Sequence, residues 1–250
     1  MTPKLRITAV SYANTYPFVY GIEQSGILKN YELCLRPPAA CALSFVRGEC
    51  DVALVPVGAL SQLSDYTIVT DLCIGAVNDV KSVLLVSNKS ISEIKSIGLD
   101  DESETSVRLA KVLAKHFWHI SPIWQKIQVK DFARHNDLDA FVVIGDKAFE
   151  ISNRFAYKID LASEWKQHTK LPFVFAVWVC RNHVSNDLIL DFSQALHFGT
   201  NNLNAVSDFY AQNSANILDL KAYLTNNIDY NLDDTKHISL KKFLNYIKED

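Results

Sequence analysis

Residues 6–18 read RITAVSYANTYPF, in which an apolar strand runs into a short polar loop and then meets a proline. Ser11, Asn14 and Thr15 carry short hydrogen-bonding side chains in that loop. Pro17 suits the first turn of a helix, where its missing N–H group is not needed. In an open α/β sheet, the ends of strands and the starts of helices converge on the ligand. We therefore expect this loop to belong to a binding site and the rest of the chain to form a frame around it.

Short strands and helices alternate through the first third of the chain, which predicts right-handed crossovers and a mainly parallel sheet. A second unit of this kind begins near Ile91, and the chain becomes helical after about residue 181. Two lobes are therefore predicted, one formed by residues 1–88 and 180–250 and the other by residues 89–179. Because the chain crosses between them twice, we expect a hinged α/β fold with a ligand cleft between the lobes.

Shorter elements complete this outline. Residues 66–69 and 72–76 are predicted to form two short strands, and residues 140–144 form a buried one that ends in Gly145 and Asp146. A glycine allows the backbone to approach a ligand closely. Asp146 is interpreted either as the cap of the following helix or as a general base.

The composition excludes several classes of protein. With 250 residues, 48% of them hydrophobic, the chain can bury a large core. A formal net charge of −3 provides no basic surface, so we expect no nucleic-acid partner. No apolar run approaches the roughly 20 residues that span a bilayer, and the N-terminus lacks a signal-peptide pattern. Cysteines without CxxC spacing and histidines without ligand spacing indicate a cytoplasmic protein with no metal site.

A second polar cluster lies at the start of the leading helix of the second lobe. Thr105 and Ser106 fall in its first turn, where free N–H groups and hydroxyls together favour an anion. The alternative is that they only cap the helix. We favour the binding of a carboxylate, because a cleft needs a second polar surface opposite Asn14.

Five stretches resemble, in order, signature blocks of the menaquinone-biosynthesis family of the futalosine route, which includes chorismate dehydratase. They are AVSYANTYPFVYGIE, GECDVALVPVGAL, VKSVLLVSNKSISEIKSIGLDDESETSVRL, DAFVVIGDKAF and DLASEWKQHTKLPFVFAVWV. A single block would be a weak signal, but five with fitting gaps are specific. The resemblance implies the type II periplasmic-binding-protein fold, in agreement with the two lobes inferred above.

The resemblance also implies a reaction, in which the dicarboxylate chorismate loses water to give 3-[(1-carboxyvinyl)oxy]benzoate without a metal or organic cofactor. The product gains an aromatic ring, so the enzyme mainly has to orient the leaving hydroxyl, bind two carboxylates and place a base. Asn14 matches the family's asparagine and is the predicted catalytic residue, with capping of the next helix as the alternative. Ser11 and Thr15 are predicted to contact the ligand or to cap the loop. The base is either Asp146 or a carboxylate of the substrate itself.

Ser82 and Val83 match the family's Ser-Val pair and are predicted to hold a substrate carboxylate through the hydroxyl and a backbone N–H. The alternative is that Ser82 simply points outward from a sheet. Thr169, in the sequence HTKLPF, is a further binding candidate, and Gly145 is expected to line the site. The family often has arginine just before Thr105, where this chain has a glutamate, and this removes one possible cation.

Two other functions share this fold. The related 1,4-dihydroxy-6-naphthoate synthase cleaves a larger, nucleoside-derived substrate, and a non-catalytic binding protein would need no base at all. The blocks SYANTYPF and TKLPFVFAVW and the chain length are more similar to the dehydratase. Tyr223 and Tyr230 are weaker site candidates near the C-terminus. The sequence thus predicts a cytoplasmic dehydratase that acts as a monomer or homodimer.

Overall fold

The computed structural model describes residues 4–128, 135, 137–213 and 219–249, which form two β-sheets with helices packed against them. The strands are β1 Leu5–Val10, β2 Tyr31–Arg36, β3 Val52–Pro56, β4 Tyr66–Ala76, β5 Val83–Ser87, β6 Ser96–Asp100, β7 Ile123–Ile127, β8 Ala140–Ile144, β9 Tyr157–Asp160, β10 Phe173–Arg181 and β11 Asp229–Asn231. The helices are α1 Tyr16–Gln24, α2 Pro38–Val46, α3 Thr105–Leu113, α4 Lys147–Ile151, α5 Leu161–Thr169, α6 Asn186–Thr200, α7 Leu203–Tyr210, α8 Leu220–Ala222 and α9 Asp234–Lys248.

Each lobe is built on one sheet. The first sheet has the order β11-β4-β10-β3-β1-β2, and the second has the order β7-β6-β8-β5-β9. The predicted α/β fold with two lobes and a helical C-terminal part is therefore confirmed. At the carboxyl end of β1 lies the polar loop, and α1 follows it with Pro17 in its first turn, as predicted.

The sheets are mixed, so the prediction of a mainly parallel sheet is wrong. In the first sheet β1 runs parallel to β2 and β3, whereas β10 is antiparallel to both β3 and β4. The reason is that β4 leads the chain toward the second lobe and β10 leads it back. The chain re-enters the first sheet at the end where β4 leaves it, with Phe173 opposite Ala76, so β10 runs antiparallel to β4.

Two segment boundaries also differ from expectation. Residues 66–76 form one continuous strand rather than two, and shifts of register against β10 accommodate its irregular middle. Sheet membership divides the chain earlier than residues 88 and 179, because β5 pairs with β8 and β9 in the second sheet while all of β10 lies in the first. The chain therefore crosses between the lobes at residues 77–82 and again between α5 and β10.

Helices from the C-terminal part secure both lobes. Helix α6 packs so closely on α1 that a Cβ atom at Gly199 would lie 1.7 Å from the Pro17 carbonyl oxygen. Helix α9 places Phe243 edge-to-face against Trp165 of the second lobe, with ring centroids 5.9 Å apart. One buried hydrophobic core therefore runs through both lobes and fixes the elements whose ends meet at the cleft.

Candidate functional site

A cleft lies between the lobes, where the carboxyl ends of β1, β3 and β8 meet the start of α3. About 520 Å³ of space that no atoms fill lies within the cleft and its opening to solvent. Its apolar lining comes from both lobes: Val10, Pro38, Pro56, Ile74, Val80, Val83, Ile144, Phe175 and Ala176. Its polar lining consists of Tyr12, Asn14, Ser82, Ser103, Glu104, Thr105 and Ser106.

The charge of the cleft is unusual for a site expected to bind an anion. Among the described residues that line it, none is lysine, arginine or histidine, and Glu104 is the one carboxylate. Glu104 lies 3.7 Å from Arg108 Nε, one turn further along α3, and this contact offsets part of its charge. An anionic ligand here would have to rely on hydroxyls, amides, backbone N–H groups and the helix start.

Asn14 sits in a single 3-10 turn, Ala13–Thr15, between β1 and α1. Its Oδ1 accepts a hydrogen bond of 3.1 Å from the Thr15 hydroxyl, and its backbone carbonyl accepts one of 3.2 Å from the Tyr230 hydroxyl. No side chain caps α1, so the alternative in which Asn14 is a helix cap is wrong. Its amide NH2 group has no hydrogen-bond partner among the described residues, which leaves it free for a ligand.

Ser82 is buried at the end of the crossing segment, immediately before β5. Its hydroxyl oxygen accepts a hydrogen bond of 2.8 Å from the Tyr223 hydroxyl. Its carbonyl accepts a second one, also 2.8 Å, from the Gly145 N–H. The alternative, in which Ser82 points outward from the sheet, is therefore wrong. Val83 beside it contributes an apolar surface to the cleft.

Thr105 and Ser106 occupy the first turn of α3, as predicted, but their hydroxyls differ. The Thr105 hydroxyl accepts a hydrogen bond of 3.1 Å from the Gly58 N–H and donates one of 2.9 Å to the Phe175 carbonyl. Both partners belong to the first lobe, so this hydroxyl joins the lobes. The Ser106 hydroxyl makes no hydrogen bond to the described part of the chain, and its N–H donates to Ser103 Oγ at 3.2 Å.

Gly145 and Asp146 contact the Asn14 loop from the second lobe. Gly145 has a φ of +62°, and a Cβ atom there would lie 2.9 Å from the Tyr12 ring. Asp146 makes no capping bond to α4, so its interpretation as a cap is wrong. Its carboxylate instead accepts a hydrogen bond of 3.2 Å from the Ala13 N–H. Burial raises the pKa of Asp146, although this hydrogen bond opposes the rise.

Besides Asp146, three predicted binding residues do not line the cleft. Ser11 is exposed, and Thr15 is buried behind Asn14, which it orients. The Thr169 hydroxyl donates to the Trp165 carbonyl at 2.7 Å, within α5, and accepts from the Leu171 N–H at 3.2 Å. Local hydrogen bonding at a helix end accounts for Thr169 without any ligand.

Tyr12 was not predicted, although it lies in the stretch that suggested the site. Its hydroxyl donates a hydrogen bond of 2.9 Å to Glu102, whose carboxylate also pairs with Lys147 at 2.7 Å. Burial, reinforced by the Glu102 charge, raises the pKa of Tyr12. These contacts join the Asn14 loop to the second lobe. An aromatic residue inside a polar ligand loop was the available signal.

Elsewhere in the described ranges, no group of three or more His, Cys, Asp or Glu side chains is arranged to hold a metal ion. No helix in those ranges is both long enough and apolar enough to cross a membrane.

The two lobes, the crossing segments and the cleft at the ends of the strands define the class of periplasmic-binding-protein-like folds. A structure from Archaeoglobus fulgidus superposes with a TM-score of 0.79 at 15% identity, covering 98% of this chain and 97% of that one. The periplasmic aliphatic sulphonate binding protein SsuA from Escherichia coli gives a TM-score of 0.66 at 13% identity, covering 99% and 88%.

Within that class the chain belongs to the menaquinone biosynthesis family, whose sequence model matches residues 5–249. A chorismate dehydratase from Thermus thermophilus is 26% identical over 93% of this chain and 91% of its own length. A chorismate dehydratase from Campylobacter jejuni is 29% identical over 71% of this chain and 67% of its own length.

Proposed function

We propose that the protein is a chorismate dehydratase, a cytoplasmic lyase of menaquinone biosynthesis that converts chorismate to 3-[(1-carboxyvinyl)oxy]benzoate and water. The free amide of Asn14 is the observation that carries the proposal. It lies in the cleft between the lobes, on a loop held by hydrogen bonds from Thr15 and Tyr230. Relatives named chorismate dehydratase support the choice of substrate.

The substrate fits the cleft by the nature of its parts. Its ring would lie against apolar surfaces such as Pro56 and Phe175. One carboxylate would accept a hydrogen bond from Ser82, and the other would bind at the start of α3, near Ser106. There the first-turn N–H groups lack intrahelical partners and the helix dipole favours negative charge.

In the proposed reaction, the ring loses a proton from carbon and the bond between ring carbon and hydroxyl oxygen breaks, so that the two leave together as water. The electron pair of the broken C–H bond completes the aromatic ring. The Asn14 amide would donate a hydrogen bond to the leaving oxygen as negative charge develops on it. A carboxylate of the substrate is the favoured base, because Asp146 does not line the cleft and already binds the Ala13 N–H.

Glu104 is the main departure from the family pattern, and its position beside Arg108 limits its repulsion of an anionic substrate. A carboxylate beside the anion site repels a dianionic substrate. The contact with Arg108 offsets part of that charge. We therefore propose that binding at α3 is weaker than it would be with arginine in this place, and that the substrate class is unchanged.

The test is an incubation of the purified protein with chorismate in the absence of added cofactor, followed by mass spectrometry for a product lighter by one water. Enzyme-dependent formation of that product is the expected result. Tight binding without conversion would overturn the proposed reaction and favour a binding protein or another substrate. If the protein neither binds nor converts chorismate, the result would favour the related naphthoate synthase activity instead.

A further inference from the structure

The Ser82 hydroxyl of the cleft is contacted from behind by the hydroxyl of a buried tyrosine, Tyr223. The Tyr223 hydroxyl lies 2.8 Å from Ser82 Oγ, and both residues are shielded from solvent. Tyr223 begins a π-helical turn, Tyr223–Asn227, that follows α8 in the C-terminal part of the chain. Residues 141 positions apart therefore meet behind the cleft.

The direction of this hydrogen bond determines what Ser82 can do. The geometry makes Tyr223 the donor and Ser82 Oγ the acceptor. A serine hydroxyl has one proton of its own to donate. Ser82 Oγ makes no other hydrogen bond to the described residues, and Ser82 lines the cleft. Its proton therefore has no acceptor in this part of the protein and is available to a ligand.

Several contacts hold Tyr223 in this arrangement. Its ring packs edge-to-face on Phe149, with centroids 5.0 Å apart. The Asn227 amide anchors the same turn by donating a hydrogen bond of 3.0 Å to the Asp79 carbonyl in the crossing segment. Burial raises the pKa of Tyr223, so the phenol keeps its proton at neutral pH and remains a donor.

We infer that Tyr223 is a positioning residue that fixes the Ser82 hydroxyl as a hydrogen-bond donor to a carboxylate of the ligand. The inference deepens the proposed function and rests on it for the identity of that carboxylate. It matters because no lysine, arginine or histidine is found among the described residues that line the cleft. Each oriented hydroxyl therefore carries a larger share of anion binding.

The Ser82 hydroxyl would take part in two hydrogen bonds in series, one accepted from Tyr223 and one donated to the ligand. When a hydroxyl accepts one hydrogen bond it becomes a better donor in the next, and burial strengthens this effect. Without the Tyr223 hydroxyl, Ser82 could rotate, and its lone pairs would lose a buried partner. Losing one such hydrogen bond predicts binding of chorismate about 3- to 10-fold weaker in Tyr223→Phe.

The experiment is a double-mutant cycle read on the dissociation constant of chorismate, with benzoate as a second, single-carboxylate probe. The variants are Tyr223→Phe, Ser82→Ala and the double variant. Ser207→Ala is the matched control, because it also removes a buried hydroxyl, which bonds the Leu203 carbonyl within α7. If Tyr223 acts through Ser82, the double variant should bind within about twofold of Ser82→Ala.

Additive losses in the cycle would overturn the inference, as would a Tyr223→Phe variant that loses thermal stability like Ser207→Ala but binds both probes normally. If Tyr223→Phe does not fold, difluorotyrosine at this position makes the phenol a stronger donor without removing it. Tighter binding of benzoate is then expected, and unchanged affinity would overturn the inference. The double-mutant cycle measures binding and does not depend on turnover. If chorismate binds without being converted, the proposed reaction is refuted, but the cycle still tests the role of Tyr223. A wild-type protein that binds neither probe would overturn both proposals.

Discussion

The two sides of the cleft offer polar residues that look equivalent in sequence and differ in the folded chain. On the first lobe, Asn14 keeps a free amide, because Thr15 and Tyr230 bind its oxygen atoms. On the second lobe, the Thr105 hydroxyl is already used twice, once by the Gly58 N–H and once by a carbonyl of β10. A polar side chain is available to a ligand only when the fold leaves one of its atoms without a partner.

The largest effect is expected at Asn14, where the free amide is assigned to the leaving oxygen. Asn14→Ala should lower kcat for chorismate about 10²- to 10³-fold, the range seen when one such donor is removed. The cost in stability should be about 1 kcal/mol, because only the hydrogen bond from Thr15 is lost. Steady-state kinetics and thermal melting of the same preparation measure both quantities.

Ser207→Ala serves as the control for Asn14, since its hydroxyl is bonded within α7. It should keep wild-type turnover. Turnover of Asn14→Ala within a few-fold of wild type would remove Asn14 from the mechanism and end the contrast with Thr105.

The contact between the lobes at Gly58 should have the next largest effect. A Cβ atom there would lie 2.9 Å from Thr105 Cα and 3.0 Å from the Glu104 carbonyl carbon, which are backbone atoms and cannot rotate away. Gly58→Ala should therefore separate the lobes slightly and weaken chorismate binding about tenfold, a cost in line with overpacking. The dissociation constant measured by calorimetry provides the check.

Gly98→Ala is the matched control for Gly58, because its Cβ would meet side chains of the second lobe, Ile127 and Phe141, at 2.8 Å. It should lower stability with a smaller effect on binding. Equal loss of affinity in the two variants would mean that the contact at Gly58 has no particular part in closing the cleft.

The first lobe's side of this comparison was predictable from sequence, and the reason is local. A strand, a polar loop and Pro17 lie within 13 residues, and the structure has β1, the turn at Asn14 and α1 in that order. The five family blocks extended this local pattern to the whole fold. The start of α3 was likewise predicted at Thr105, from its helical spacing and the acids before it.

The role of the Thr105 hydroxyl could not be predicted, because its partners are 47 and 70 residues away. The antiparallel insertion of β10 between β3 and β4 was missed for the same reason, since strand pairing leaves no mark in local spacing. The contact that Asp146 makes could not be predicted either, because its partner, the Ala13 N–H, lies in the other lobe. Most of the features that could not be predicted from the sequence are contacts between the lobes.

Thr105 and Ser106 should separate by the kind of effect that their substitution has. Thr105→Val leaves the Gly58 N–H and the Phe175 carbonyl without their partner, so the free energy of unfolding should fall by about 1–3 kcal/mol. Ser106→Ala removes no hydrogen bond to the described residues and should cost less than about 1 kcal/mol, yet weaken chorismate binding about threefold or more. Denaturant unfolding and binding assays on both variants decide. If Thr105→Val instead weakens chorismate binding and Ser106→Ala lowers stability, the Thr105 hydroxyl would be the group that binds the anion.

Asp100, a buried carboxyl at the end of β6, should affect stability alone, and its two oxygen atoms also differ in whether they have a hydrogen-bond partner. Its Oδ1 accepts a hydrogen bond of 3.1 Å from the Glu102 N–H, whereas its Oδ2 is buried with no partner among the described residues. Burial raises the pKa of Asp100 from its ordinary 3.8 to about 6, and this hydrogen bond opposes the rise. The folded chain therefore holds a proton that the unfolded chain releases.

Between the two pKa values the folded state binds more protons than the unfolded state. The contribution of Asp100 to the free energy of unfolding should therefore fall as the pH rises from about 4 to about 6 and stay level above that. Asp100→Asn resembles the protonated carboxyl at every pH and should remove this part of the slope. The variant should be more stable than wild type by about 1–3 kcal/mol at pH 7 and nearly equal to it at pH 4. Denaturant unfolding of both proteins at a series of pH values measures the difference. If the free energy of unfolding of the two proteins depends on pH in the same way, Asp100 has the same pKa in the folded and unfolded states. The buried oxygen without a partner would then cost no stability, and the contrast between bonded and unbonded polar atoms would hold for the cleft alone.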